Sequence, residues 1–243
     1  GVQLTVTAYN AVIYACSCAR KSQWEWALRL LQQMEDRGMV PDKFTYSHVI
    51  RACSRANKWE WAARIMREMR RHDIKPTLWA CNYLLRSCAV NRQWRYVLRV
   101  LREMDAAGVA PDAKTYEVAI RTCGNSGEWR QAVQLLEESR QRDSVPQDAV
   151  AYCAAVSACE KASEWSHAVG ILANMHEDLV EPNRFTYRSA IRVCEAEGQP
   201  ALVSKLKREM EVALEAAAKA AAITTPRAVR PSPEFLKRLD WGL

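Results

Sequence analysis

The chain has 243 residues, with 35 lysines and arginines against 28 aspartates and glutamates, a net charge of +7. That balance suits a polyanionic partner, and no apolar run approaches the length of a membrane-spanning helix, so no membrane insertion is expected. Nine cysteines suggest disulfides at first sight, but their spacing argues for buried free thiols in a reducing compartment.

Read in chain order, Gly1-Val2-Gln3-Leu4-Thr5 aligns with Gly108-Val109-Ala110-Pro111-Asp112, the closing segment of a later unit. The chain thus begins inside a repeat, and earlier repeats and any targeting peptide are expected to precede it in a longer protein. Residues 6–42 form the first unit, opened by Tyr9, Val12, Ile13 and Cys16 and closed at Gly38 and Pro41. Residues 43–77 follow, with Tyr46, Val49, Ile50 and Cys53 and a stop at Pro76. The clearest unit is 78–112. Cys81, Leu84, Leu85 and Cys88 fall at i, i+3, i+4, i+7, one face of a helix, and Trp94, Val97, Leu101 and Met104 mark a second amphipathic helix. Val90-Asn91-Arg92-Gln93 between them is a tight turn, Gly108 supplies a left-handed C-cap, and Pro111 prevents continuation. Residues 113–148 and 149–183 repeat the pattern through Tyr116 and Cys123, then Tyr152 and Cys159, with stops at Pro146 and Pro182. A degenerate sixth unit with an alanine-rich helix occupies 184–223, and 224–243 is a basic, proline-containing tail. Its Phe235, Leu236, Leu239 and Trp241 form a short amphipathic segment expected to fold back as a cap or to dock on a partner. Extra residues near Arg20-Lys21 and Gln147 fall in turns, where insertions cost least.

Three columns keep the beat. Tryptophan recurs at Trp24, Trp59, Trp94, Trp129 and Trp165, cysteine at Cys16, Cys53, Cys88, Cys123, Cys159 and Cys194, and methionine at Met34, Met69, Met104, Met175 and Met210, with Ser139 in the vacant slot. A period near 35 residues identifies a helical repeat array. The fold class is therefore all-α: a solenoid superhelix of stacked helix-turn-helix units, since no single pair can bury its own apolar stripe. The tryptophans sit on the core stripe, which favours packing between units over cofactor binding or base stacking.

Catalytic signals are lacking. The four histidines, His48, His72, His167 and His176, have no metal-ligand spacing. No phosphate-cradling glycine loop and no zinc-deaminase signature occurs, so neither cofactor, metal nor small-molecule substrate is expected.

The unit resembles the pentatricopeptide repeat. The resemblance rests on Ala8-Tyr9-Asn10-Ala11-Val12-Ile13 in the first helix, Trp26-Ala27-Leu28-Arg29-Leu30-Leu31-Gln32-Gln33-Met34 in the second, and the closure Gly38-Met39-Val40-Pro41-Asp42. It covers residues 1 to about 215. It implies single-stranded RNA binding in an organelle, mitochondrial matrix or plastid stroma, with one base read per repeat. The reading residues it implies are Asn10 with Asp42, Ser47 with Thr77, Asn82 with Asp112, Glu117 with Asp148 or Gln147, Cys153 with Asn183, and Arg188 alone. Asn with Asp is the family's uracil-type pair. Ser47/Thr77 and Cys153/Asn183 are irregular, and Glu117 places a negative charge at a base site.

Independently of the family, Arg51, Arg86, Arg121 and Arg192 lie four residues after the reading positions, hence on the same helix face. Such a basic stripe suits phosphates; the alternative is a solvated face, with Arg121 pairing Glu117. Two functions fit: an RNA-binding protein acting in organellar transcript processing, stability or translation, or a structural subunit of an organellar assembly such as a mitochondrial ribosome, contacting rRNA and protein.

Overall fold

Each first helix is started by a side chain that satisfies backbone N–H groups with no partner inside the helix. Thr5, Asp42, Thr77, Asp112, Asp148 and Asn183 are these N-caps, each accepting from a backbone N–H two or three residues on. The computed structural model describes residues 5–19, 23–142, 145–146 and 148–224, with side chains to 216. The insertion at Arg20-Lys21, the alternative reading residue Gln147 and the tail segment with Phe235, Leu236, Leu239 and Trp241 lie outside the described residues.

Within that span the chain is α-helix throughout: α1 (Val6–Cys18), α2 (Trp24–Asp36), α3 (Lys43–Arg55), α4 (Trp59–Arg71), α5 (Leu78–Val90), α6 (Trp94–Ala106), α7 (Ala113–Asn125), α8 (Trp129–Arg140), α9 (Ala149–Lys161), α10 (Trp165–Glu177), α11 (Arg184–Ala196) and α12 (Pro200–Thr224). None is long and apolar enough to cross a membrane.

The cysteine and methionine columns have a backbone role beyond their burial. Each first helix from α3 onward ends with its cysteine carbonyl accepting from the amide five residues on: Lys58 to Cys53 at 3.0 Å, Gln93 to Cys88 at 2.9 Å, Glu128 to Cys123 at 3.0 Å, Glu164 to Cys159 at 3.0 Å and Gln199 to Cys194 at 2.9 Å. The second helices close identically on Met34, Met69, Met104 and Met175. This is the six-to-one bond of a Schellman cap, which needs one left-handed residue in the turn. Gly38 and Gly108 supply it at φ 67° and 62°, while Asp73 and Leu179 do so without the freedom of glycine. At Ser139 the closure differs. Arg142 N–H reaches the Ser139 carbonyl at 3.3 Å, and Val145 N–H reaches the Arg142 carbonyl at 2.9 Å.

Packing follows a strict order. Odd-numbered helices stack on one another in succession, and each even-numbered helix α2–α10 packs on its two odd neighbours; successive even-numbered helices keep their backbones apart and meet through side chains. The odd row is therefore the tight inner wall and the even row the splayed outer one. The core alternates between the rows: Tyr46, Ile50, Leu84, Leu85 and Ile120 from the inner helices meet Met34, Met66, Met69 and Met104 from the outer. The tryptophans at the outer-helix starts are half-buried and bridge units, Trp24 lying 6.1 Å from Trp61 and Trp59 5.5 Å from Tyr96 between ring centroids. All nine cysteines are free.

Candidate nucleic-acid interface

The N-cap of one unit lies beside the reading position of the previous one. Asn10, on α1, donates its side-chain amide to both Asp42 carboxylate oxygens, at 3.2 and 3.1 Å. Asp42 Oδ1 also accepts from the amides of Phe44 and Thr45 at 2.9 and 2.8 Å. Thr45 Oγ1 sits 2.6 Å from Asn10 Oδ1 and 3.0 Å from Asp42 Oδ1, and its single proton serves one of them at a time. The same arrangement recurs at Asn82, with Asp112 at 3.4 Å and Thr115 Oγ1 at 2.8 Å. Asp42 Oδ1 is thus crowded with donors while Oδ2 keeps acceptor capacity, and the asparagine retains a second N–H. Side by side, they present a donor and an acceptor toward the inner wall.

Burial pushes the Asp42 and Asp112 carboxyls up, but hydrogen bonds from Thr45, Phe44 and Asn10 in one case, and from Thr115 and Asn82 in the other, outweigh it. Both are held below the ordinary aspartate value. They stay ionised acceptors at neutral pH.

The irregular units assemble differently. Ser47 and Thr77 hydroxyls meet at 3.0 Å, and Ser47 also donates to the Lys43 carbonyl at 2.6 Å. Cys153 Sγ receives the Asn183 amide at 3.3 Å and lies 2.7 Å from Thr186 Oγ1. Glu117 is bonded not to Asp148 but to the two cations of its own helix, Lys114 and Arg121, the latter at 2.8 Å. Neither side chain carries an amide or a hydroxyl donor, so that pair does not close as the others do. Asp148 caps α9 through the Val150 amide at 3.0 Å. Arg188 is exposed on α11.

The reading positions lie between walls that the sequence reading did not single out. Three residues before those of units two to six stand Phe44, Trp79, Lys114, Val150 and Phe185, all exposed, with Trp79 at 72% the most open of the apolar four, while Thr7 holds that place before Asn10. A cavity of about 310 Å³ contains Asn82 and Asp112 together with Trp79 and Lys114. Another, of about 230 Å³, contains Cys153 with Val150 and Phe185. The site at Asn82 thus has a floor of polar groups with Trp79 and Lys114 beside it. The signal was available: bulky apolar residues at one helical column where an outward-facing position calls for polar ones. Thr45, Thr115 and Thr186 were likewise legible, as threonine three residues after an N-cap Asp or Asn.

The four arginines are on one wall but in different company. Arg51 lies between Tyr14 and Tyr83, 5.4 and 5.5 Å from the ring centroids. Arg86 is exposed and lines the cavity at Asn82. Arg121 is held by Glu117, and Arg192 by Glu160 across units at 3.4 Å. Only the first two leave their positive charge uncompensated by a carboxylate among the described residues.

These features define a helical-repeat solenoid whose inner wall carries the polar pairs Asn10–Asp42 and Asn82–Asp112, with exposed side chains such as Trp79 beside them. The chain belongs to the pentatricopeptide repeat family: the model for the pentacotripeptide-repeat region of PRORP matches residues 1–151, and that for the pentatricopeptide repeat domain matches residues 134–196. Among solved structures it is similar to the maize pentatricopeptide repeat protein PPR10, at 26% identity and TM-score 0.60 over 88% of this chain and 30% of that one. Against PPR10 in complex with an 18-nt psaJ RNA element the figures are 26%, 0.62, 92% and 34%. The chain therefore spans about a third of PPR10. The pentatricopeptide repeat domain of Arabidopsis thaliana protein-only RNase P 1, solved in complex with tRNA, is 17% identical with TM-score 0.61, over 68% of this chain and 86% of that one; at that identity the likeness is one of fold. No curated protein sequence matches the chain.

Proposed function

We propose that the inner wall holds a single strand of RNA, one base to a unit, and that the protein acts on organellar transcripts in their processing, stability or translation. The observation that carries this reading is the repeated pair: Asn10 with Asp42 and Asn82 with Asp112 each place an amide donor beside a carboxylate acceptor, at 3.1–3.2 Å and 3.4 Å. The Watson–Crick edge of uracil offers a carbonyl acceptor beside an N–H donor, the complement of that pair, and an unstacked strand exposes it. Trp79, Phe44 and Phe185 supply surfaces on which bases stack. The RNA-bound PPR10 structure supports the reading by likeness.

Selection from a randomised RNA pool tests it. Uracil should be enriched at two positions separated by one nucleotide, and exchanging Asn82→Thr should alter the preference at one of them alone, by about 1–3 kcal/mol. A second reading, a structural subunit of an organellar assembly such as a mitochondrial ribosome, is favoured by Arg121 and Arg192 being occupied by Glu117 and Glu160. A flat profile with wild type and variant alike gives that reading the lead.

A further inference from the structure

The outer face of the solenoid changes character from unit to unit. Counted from the tryptophan that starts each even-numbered helix, the first, fifth, eighth and twelfth residues after it share one outward stripe, at i, i+4, i+7 and i+11. On α10 that stripe is Ser166, Gly170, Ala173 and Glu177. On α4 it is Glu60, Arg64, Arg67 and Arg71, and on α6 it is Arg95, Arg99, Arg102 and Ala106, all exposed. The Trp59 and Tyr96 rings and the ion pair of Arg70 with Glu103 tie the two helices side by side. The arginines therefore form one patch. Arg71 is bonded to Glu68 and Arg99 to Glu103, whereas Arg64, Arg67, Arg95 and Arg102 have no carboxylate partner among the described residues.

We infer that the outer face of α4 and α6 is a second RNA-contact surface, which grips the sugar-phosphate backbone of a double-stranded segment and leaves its bases unread. A face kept only for solubility mixes its signs, because like charges four residues apart weaken a helix. The α6 stripe sets three arginines in succession, a local cost that an anionic partner relieves. Every cation of the two stripes is arginine and none is lysine. Arginine is the side chain whose planar fork of N–H groups meets phosphate oxygens two at a time. Three of the forks are already oriented by rings: Arg64 lies 5.0 Å from the Trp61 centroid, Arg95 5.1 Å from that of Trp94, and Arg99 5.9 Å from that of Tyr96. A guanidinium stacked in this way keeps its in-plane donors for a ligand and has less rotamer freedom to lose on binding. A protein partner would call for an apolar centre depleted of charge, yet Trp61 is the one large apolar side chain exposed on either helix. Guanidinium groups lie over the rings that could stack an unpaired base, so the surface is cationic throughout. Duplex RNA, recognised through phosphates and 2′-hydroxyls instead of base edges, is the form of RNA it fits. The inference goes beyond the inner-wall reading and does not depend on it.

Fluorescence anisotropy near physiological salt tests it with two probes, a blunt RNA duplex of about 20 base pairs and a uracil-containing single strand. Combining Arg64→Gln, Arg67→Gln, Arg95→Gln and Arg102→Gln should weaken duplex binding about tenfold or more and flatten its salt slope by about two or more. The same variant should bind the single strand within about twofold of wild type, because the inner-wall cations are untouched. Glutamine keeps the helix propensity and removes like-charge repulsion, so the variant should melt no lower than wild type. Lys205→Gln, Lys207→Gln and Arg208→Gln together, exposed cations of α12, should leave duplex affinity within about twofold. Equal loss from the two sets reduces the patch to general charge and overturns the inference, as does duplex affinity unchanged by the first set. Displacement of the duplex by poly-L-glutamate at equal charge also overturns it and gives the face to an acidic protein. Duplex binding that depends on these arginines, in a protein that ignores the single strand, overturns the proposed function and leaves this surface standing.

Discussion

Gly124 is the point where helices α7 and α9 come closest. A Cβ added there would lie 2.8 Å from the Cβ of Ala158 and 3.5 Å from the Ala154 carbonyl oxygen. Ordinary contact begins near 3.4 Å, so Gly124→Ala requires the two helices to separate by about 0.6 Å, the difference between 3.4 and 2.8. Ala158 has no rotamer by which to yield. Overpacking of this kind costs about 1–3 kcal/mol, against which replacing glycine by alanine inside a helix gains about 0.5–1 kcal/mol. The expected net destabilisation is about 1–2 kcal/mol, read as a lowered midpoint in urea with the slope unchanged. Ala158→Gly should cost about 1 kcal/mol alone, yet in the Gly124→Ala background it should restore part of the loss. The resulting cycle should show coupling of about 1 kcal/mol or more. Should Gly124→Ala stabilise the protein, as at an open helical site, or should the cycle show no coupling, close approach of these helices is not what glycine secures.

Further expectations rest on other contacts. Arg140, 17% exposed, joins units four and five by bonding Asp178 at 2.6 Å, Glu177 at 3.2 Å and Glu137 at 3.1 Å; Arg140→Ala should cost about 2–3 kcal/mol, measured by chemical denaturation, since it strands a carboxylate that is mostly covered. Leu179 adopts φ 55° with its side chain exposed, so Leu179→Gly should raise stability by about 1 kcal/mol, visible as a higher Tm. Asp42, Asp112 and Asp178 all have folded values below the ordinary 3.8. Depressed carboxyls add stability that is complete above the unfolded value and is lost as pH falls through the folded one. Urea midpoints should hold level down to about pH 5 and fall below about pH 4, more shallowly in Asp178→Asn. Burial pushes the thiols of Cys53, Cys88, Cys123 and Cys159 up to about 12, whereas the half-exposed Cys18 is held low. Its burial acts upward, but hydrogen bonds from Tyr14 and Ser17 and the charges of Arg51 and Arg55 prevail. Mass spectrometry after brief alkylation at neutral pH should find Cys18 modified and those four protected until the protein unfolds.

The fold was legible in the sequence wherever the cause is local or periodic. Helices could be read from apolar spacing, their starts from Asp42, Asp112 and Asn183, and their ends from Gly38 and Gly108, because caps and amphipathic faces depend on residues a turn or two apart. The shared core followed from the recurrence of tryptophan, cysteine and methionine. Even the ion pair of Glu117 with Arg121 is an i, i+4 contact that one helix decides by itself. What the stacking decided is of another kind. Asn10 meets Asp42, Arg192 is claimed by Glu160, and Gly124 faces Ala158, each across more than thirty residues of chain, at distances set by how one unit rotates on the last. That rotation is a sum of many core contacts and has no signature in any single segment. It also determines which outward columns become walls: Trp79 and Lys114, a full repeat apart, line one cavity only because α5 and α7 stack side by side. Sequence periodicity names the faces of each helix, while the inter-helix geometry, through contacts of a few ångströms, selects which of those faces confront one another.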